Sequence, residues 1–118
     1  MSIYRVVKNR TSESEDPIQL KKGDLVRCMA SSDSEGDWPN WIFCKYRGQE
    51  GWVPSQIIRA EANKGLITEN YDAREFTVVV GEIYYAEKKL NGWIWAYKEG
   101  EPDSYGWVPL NCVEEVPL

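Results

Sequence analysis

An all-β fold, made of two small β-barrels in tandem and packed on each other, is predicted by three observations. The stretch "EGWVPSQII" (50–58) returns as "YGWVPLNCV" (105–113), so one chain of 118 residues writes Gly-Trp-Val-Pro twice. Two further landmarks repeat in the same order: "QLKKGDLV" (19–26) lies over "TVVVGEIY" (77–84), and "WIFC" (41–44) over "WIWA" (93–96). Finally, the local patterns alternate with the period of a strand, and no stretch sustains a helical period; "IIRAEANK" (57–64) allows one turn at most.

The offsets between copies are 58, 52 and 55 residues. They drift because the connecting segments differ in length, and such insertions belong in loops. The landmarks are therefore strands and turns. Ile18 and Leu20 alternate in the first of them, and "KKGD" and "VVGE" are turns whose glycine can take a positive φ. In "WIFC" and "WIWA" the Ile and the small residue make one face, which suits a barrel core. Trp41 with Phe43, and Trp93 with Trp95, then look outward. By the same parity Val53 and Val108 point inward, while Trp52 and Trp107 share the other face with Pro54 and Pro109. Within each Gly-Trp-Val-Pro, Gly permits the turn out of the preceding loop, Val enters the core and Pro ends the strand. The expected boundaries are 1–58 for repeat one, 59–65 for a short linker and 66–118 for repeat two. Phe43 and Trp95 are candidates for the contact between repeats.

Composition narrows the function. Six Trp and seven Tyr against two Phe favour half-buried strands and binding surfaces. Fourteen basic against nineteen acidic residues give a net charge of -5. That argues against nucleic acid or an anionic membrane as the main partner. With no His, the commonest general base and His-based metal sites are absent. Cys28, Cys44 and Cys112 lack metal-ligand spacing and read as reduced thiols. No apolar core of a signal peptide precedes the first landmark, so a cytoplasmic location is expected. No cofactor, metal or catalytic residue is expected, and nothing arranges a nucleophile, a base and an oxyanion site.

Five motifs in order, twice over, resemble the Src homology 3 (SH3) domain. In repeat one they are "VVKNR" (6–10), the acidic "SESED" (12–16), "IQLKKGD" (18–24), "WIFC" and "GWVPSQII". In repeat two they are "ITENY" (67–71), "DARE" (72–75), "FTVVVGE" (76–82), "WIWA" and "GWVPLNCV". The whole chain resembles small bacterial proteins that carry two variant SH3 repeats. The resemblance implies two SH3-like barrels and a non-enzymatic protein–protein interaction module. It would grip an extended peptide, proline-rich and with a basic flank, between aromatic ridges and an acidic loop.

Carried over position by position, the resemblance implies a ligand site in repeat two at Tyr71, Glu75, Trp93, Trp107, Pro109 and Asn111. In repeat one it implies Trp41, Trp52 and Pro54, with Glu15 and Asp16 near the acidic position. Trp38, on a polar loop beside Asp37, is a candidate to cap that groove. Repeat one has Lys8, Arg10 and Ile57 where the family has three tyrosines, and repeat two has Glu69 and Cys112 at two of them. Repeat two is therefore the expected main site. Two other readings stay open: a structural or self-associating protein that spends its aromatic surface on packing, and a binder of cell-wall glycopeptide. The oligomeric state is not set by the sequence.

Overall fold

A computed structural model gives the structure of the protein and describes residues 1–13 and 15–117. Ser14 of the acidic loop and Leu118 lie outside the described residues. In chain order the elements are β1 (Ser2–Val6), β2 (Gln19–Leu20), β3 (Leu25–Ser31), β4 (Trp41–Tyr46) and β5 (Gln49–Pro54). A 3-10 turn η1 (Ser55–Ile57) leads to β6 (Ile58–Glu61), β7 (Lys64–Ile67) and β8 (Tyr71–Asp72). Then come β9 (Ile83–Leu90), β10 (Trp93–Lys98), β11 (Tyr105–Pro109), a second 3-10 turn η2 (Leu110–Cys112) and β12 (Val113–Glu115). The all-β expectation holds.

The chain forms two compact units, one continuous (Asp16–Arg74) and one split (Met1–Glu15 with Glu75–Leu118). In the continuous unit a five-stranded sheet runs β5-β4-β3-β7-β6, beside a short β2-β8 pair. In the split unit the sheet runs β11-β10-β9-β1-β12. The two orders are the same once β7 and β1 are equated, and each ladder is an open sheet rather than a closed barrel. The chain order predicted from sequence thus differs from the spatial one. β1 pairs with β9 and β12, and β7 pairs with β3 and β6.

Three local causes fix this exchange. The expected linker 59–65 is a hairpin: Glu61 faces Lys64 across two residues, with Ala62 at φ 55. So short a connection can only lay β7 against β6. Steric fit then separates the two candidate strands. Gly65 of β7 faces Val26, as Tyr4 of β1 faces Tyr84 in the sister sheet. A Cβ at Gly65 would stand 2.5 Å from Ile58 Cγ2 and 3.0 Å from Cys28 Sγ, so a tyrosine has no room there. In the split unit Tyr4 is buried in the core instead. Charge agrees: Arg5 pairs with Glu114 at 2.7 Å, whereas in the continuous unit the matching place beside β7 is Arg59, facing Leu66. Like charges opposite each other on a sheet are destabilising.

Each unit has its own core. Ile18, Leu20, Val26, Cys44, Val53, Ile57 and Ile67 form one; Tyr4, Val6, Val78, Tyr84, Ala86, Ile94, Ala96, Val108, Cys112 and Val113 form the other. The inward parity expected for Cys44, Ile94, Ala96, Val53 and Val108 is therefore correct. The Cys44 thiol is inert by burial: desolvation first, then neighbouring Cys28, pushes it up to about 12. Cys112 belongs to the core rather than to a groove.

The turns before β3 and β9 use one device. Gly23 and Gly81 take φ 98 and 97. The acid that follows each accepts the backbone N–H three residues back: Lys21 N–H to Asp24 at 2.8 Å, and Val79 N–H to Glu82 at 2.8 Å. Burial alone would raise the Glu82 carboxyl. Lys98 Nζ at 2.6 Å, the Val79 N–H and the Tyr84 hydroxyl outweigh it, and Glu82 titrates below its ordinary 4.5. A carboxylate held low in the folded state stabilises above its unfolded value, and that contribution disappears as pH falls through the folded one. Acid unfolding followed by circular dichroism should therefore steepen below pH 4.5, and Glu82→Gln should remove part of that steepening.

The glycine of the first Gly-Trp-Val-Pro has a different job from the turn expected of it. Gly51 is a strand residue, and a Cβ there would stand 2.9 Å from Ile18 Cγ2. Ile is stiff at its β-carbon and cannot yield cheaply. Gly51→Ala should cost on the order of 1–3 kcal/mol in urea unfolding, the usual range for overpacking a core.

Candidate functional site

On the face opposite each core, the sheet ladders arrange side chains in cross-strand rows. In the split unit Trp93 stands between Leu90 and Pro109, and Trp95 between Lys88 and Trp107. In the continuous unit Trp41 stands opposite Pro54, and Phe43 between Ala30 and Trp52. The tryptophans thus turn away from the core clusters, as parity predicts. Their exposure is another matter. Trp41, Trp93 and Trp107 are only 6%, 7% and 3% exposed, whereas Trp52 is 44% exposed. The expectation of an outward, solvent-facing Trp surface is corrected for the first three.

The split unit shows what occupies the place beside Trp93. Arg10 Nη1 donates to Glu75 Oε1 at 2.7 Å, and the guanidinium carbon lies 5.1 Å from the centre of the Trp93 ring. The Arg10 and Glu75 side chains are 14% and 19% exposed. Backbone bridges hold both in place, Arg10 to Val78 and Glu75 to Trp107. The acid and the tryptophan that the resemblance assigns to a ligand's basic residue are therefore engaged by an arginine of the same chain. A planar guanidinium paired with a carboxylate and laid over an indole is a favourable arrangement for such a cation. Lys88 Nζ lies 5.7 Å from the Trp107 ring, which also meets Trp95 at 5.1 Å.

The continuous unit is furnished differently. Tyr71, carried on β8, donates its hydroxyl to the Trp52 carbonyl at 3.0 Å. Trp52 packs edge-on against Phe43 at 5.3 Å. Trp41 is anchored through its backbone N–H to Ser32 Oγ, and its ladder partner Pro54 is buried.

The structure thus redistributes the twelve predicted site residues. Tyr71 leaves the repeat-two set and joins Trp41, Trp52 and Pro54 in the continuous unit, which also holds Asp16 and Trp38. Glu75, Trp93, Trp107, Pro109 and Asn111 stay in the split unit, and Glu15 is counted with them. Asp16 and Glu15 are exposed, Trp38 is half-buried on the loop before β4, and Asn111 is exposed on η2, where its side chain accepts the Cys112 thiol at 3.4 Å. The role of Arg10 is the one that sequence reasoning missed. Its departure from tyrosine was visible, but the acid it meets lies 65 residues away.

Among the described residues no cluster of His, Cys, Asp and Glu could hold a metal ion, and no helix is long and apolar enough to cross a membrane. No solved structure matches the chain. The family model for the variant SH3 domain matches residues 3–61, half of the chain. That stretch begins on β1, which is built into the split unit, and continues through β2 to β6 of the continuous one. Sequence order and spatial unit part company within a single family match, and with half of its length matched the chain belongs to the variant SH3 domain family.

Proposed function

We propose that the chain is a non-catalytic protein-interaction module that takes an extended peptide on the continuous unit. Tyr71 and the exposed Trp52 line its groove, and the buried Trp41 and Pro54 support it. The carrying observation is the Tyr71–Trp52 hydrogen bond beside a tryptophan that is 44% exposed. It brings together two of the aromatic positions that the resemblance assigns to a ligand site. In the split unit the equivalent place already holds Arg10 against Glu75 and Trp93. Asp16, exposed on the same unit, supplies a carboxylate for a basic flank on the peptide. Prolines in such a segment arrive with φ already restricted, so little entropy is lost on binding. A shallow groove of this kind binds at about micromolar strength, or about -8 kcal/mol.

The test is an amide NMR titration of the labelled protein with proline-rich peptides, with and without a flanking Arg. Shifts should gather at Trp41, Trp52 and Tyr71, and Trp52→Ala should weaken binding about tenfold or more, as loss of a central aromatic does. Silence at millimolar peptide would sink the groove reading, and shifts confined to Glu75 and Trp93 would move the site to the split unit.

A further inference from the structure

The two sheets allow an internal comparison, because each β-ladder row of one has a counterpart in the other. The row beyond Trp95 and Trp107 in the split unit is Tyr85–Tyr97–Tyr105. Its counterpart beyond Phe43 and Trp52 is Arg27–Lys45–Glu50. One fold therefore accepts three charged side chains at this position, and nothing in its architecture calls for three tyrosines.

The tyrosines form a continuous ring surface. Tyr85 and Tyr97 stack at 5.3 Å with 21° between planes, and Tyr97 meets Tyr105 edge-on at 5.4 Å. Tyr105 stacks on Trp95 at 5.9 Å with 19° between planes. All four are half-buried and outside the core cluster. One end of this surface is acidic. Glu99, Glu101 and Asp103 occupy the turn that joins Tyr97 to Tyr105, and Glu87 follows on the strand that carries Tyr85. The Tyr105 hydroxyl is raised by desolvation first, then by Glu87 through charge and a hydrogen bond, with Tyr97 and Asp103 adding to it. Four cations of this unit are engaged, Arg5 with Glu114, Arg10 with Glu75, Lys98 with Glu82 and, in the row beside the tyrosines, Lys88 with Trp107.

We propose that the Tyr85–Tyr97–Tyr105 face, with Glu87 and Asp103 at its edge, is a second interaction surface that receives a Lys/Arg-rich segment of a partner protein. Alkyl-ammonium and guanidinium groups are attracted to the faces of tyrosine rings, and the neighbouring carboxylates neutralise them. An uncharged partner would leave the acidic edge unused, and an anionic one would be repelled.

The proposal is separable from the groove on the continuous unit. The full chain is titrated at 0.15 M salt with fluorescent deca-arginine, deca-lysine and a Gly/Ser decapeptide, and by NMR with the same probes. Binding of the two cationic probes with shifts at Tyr85, Tyr97 and Tyr105 is the expected result. It should survive Trp52→Ala unchanged. The triple variant Tyr85→Thr/Tyr97→Thr/Tyr105→Thr keeps every charge and the strand preference, and should lose about tenfold in affinity, the effect of removing more than one cation–π contact. Glu87→Gln/Asp103→Asn, which keeps the rings, should lose a similar factor. Cationic binding that the triple variant retains at full strength would overturn the proposal, since it would reflect net charge alone. Equal binding of the Gly/Ser probe would overturn it too. So would concentration-dependent sedimentation of the wild-type chain that the triple variant abolishes, because the face would then belong to a second copy.

Discussion

A fragment of residues 16–74 will fold on its own, and a fragment of residues 1–58 will not. The second is the span that sequence repetition marks as repeat one, so the contrast is direct. Without β7 the core of the continuous unit loses Ile67, which is fully buried, and its two main-chain bonds to the β3 turn, from Gly23 N–H and to Asp24 carbonyl, at 2.8 and 2.9 Å. A domain of about 60 residues has a stability on the order of 3–9 kcal/mol, at about 0.05–0.15 kcal/mol per residue. Deleting one large core side chain costs about 2–5 kcal/mol before the broken ladders are counted. β1, present in 1–58, cannot take the vacant place either: Tyr4 would fall where Gly65 stands, against Ile58 and Cys28. Circular dichroism and amide dispersion of the two fragments decide it. A folded 1–58 would show that the strand pairing described above is wrong.

Replacing Arg10 will create a binding site in the split unit that the wild-type chain does not offer. Arg10→Ala removes the guanidinium from Glu75 and Trp93 and leaves both facing an opening of arginine size. With an Arg-flanked proline-rich peptide, amide shifts at Glu75 and Trp93 should then join those at Trp52 and Tyr71. A peptide without the Arg should not produce them. The substitution also strips a mostly buried carboxylate of its partner, which costs on the order of 3 kcal/mol. Arg10→Ala/Glu75→Gln should recover much of that stability and lose the new site, so unfolding and loss of binding are told apart. If Arg10→Ala stays folded and Glu75 remains silent, Arg10 does not stand in for a ligand.

Both predictions bear on what was legible before the structure. Strand and turn positions were, because alternation at Trp41–Cys44 and Trp93–Ala96 and the glycines at 23 and 81 act over a few residues. The core face was legible for the same reason. The partner of β1 was not: alternation says that a strand has a buried face, not which sheet will bury it. The information was present in a different form, as a hairpin too tight to cross and a glycine that excludes a tyrosine. The groove suffered accordingly. Its residue types were read correctly from the resemblance, but Tyr71 and Arg10 sit on the exchanged segments and each reached the opposite unit. Burial of Trp41, Trp93 and Trp107 was equally out of reach, since parity gives direction and says nothing of what covers a side chain. The row of tyrosines escaped notice because its three members come from three strands.

The exchange of β1 and β7 also orders events during synthesis. Residues 16–74 leave the ribosome as a complete unit while β9 to β12 have yet to be made. β1, translated before all of these, must wait for partners as distant as Glu114, 109 residues away from Arg5. Contacts of such separation form slowly when the intervening chain is loose. Once the intervening unit has collapsed, the effective loop between β1 and β9 becomes far shorter. The continuous unit is thus a built-in assembly aid for the split one, and a defect in its core will delay a strand that it never touches in the ladder.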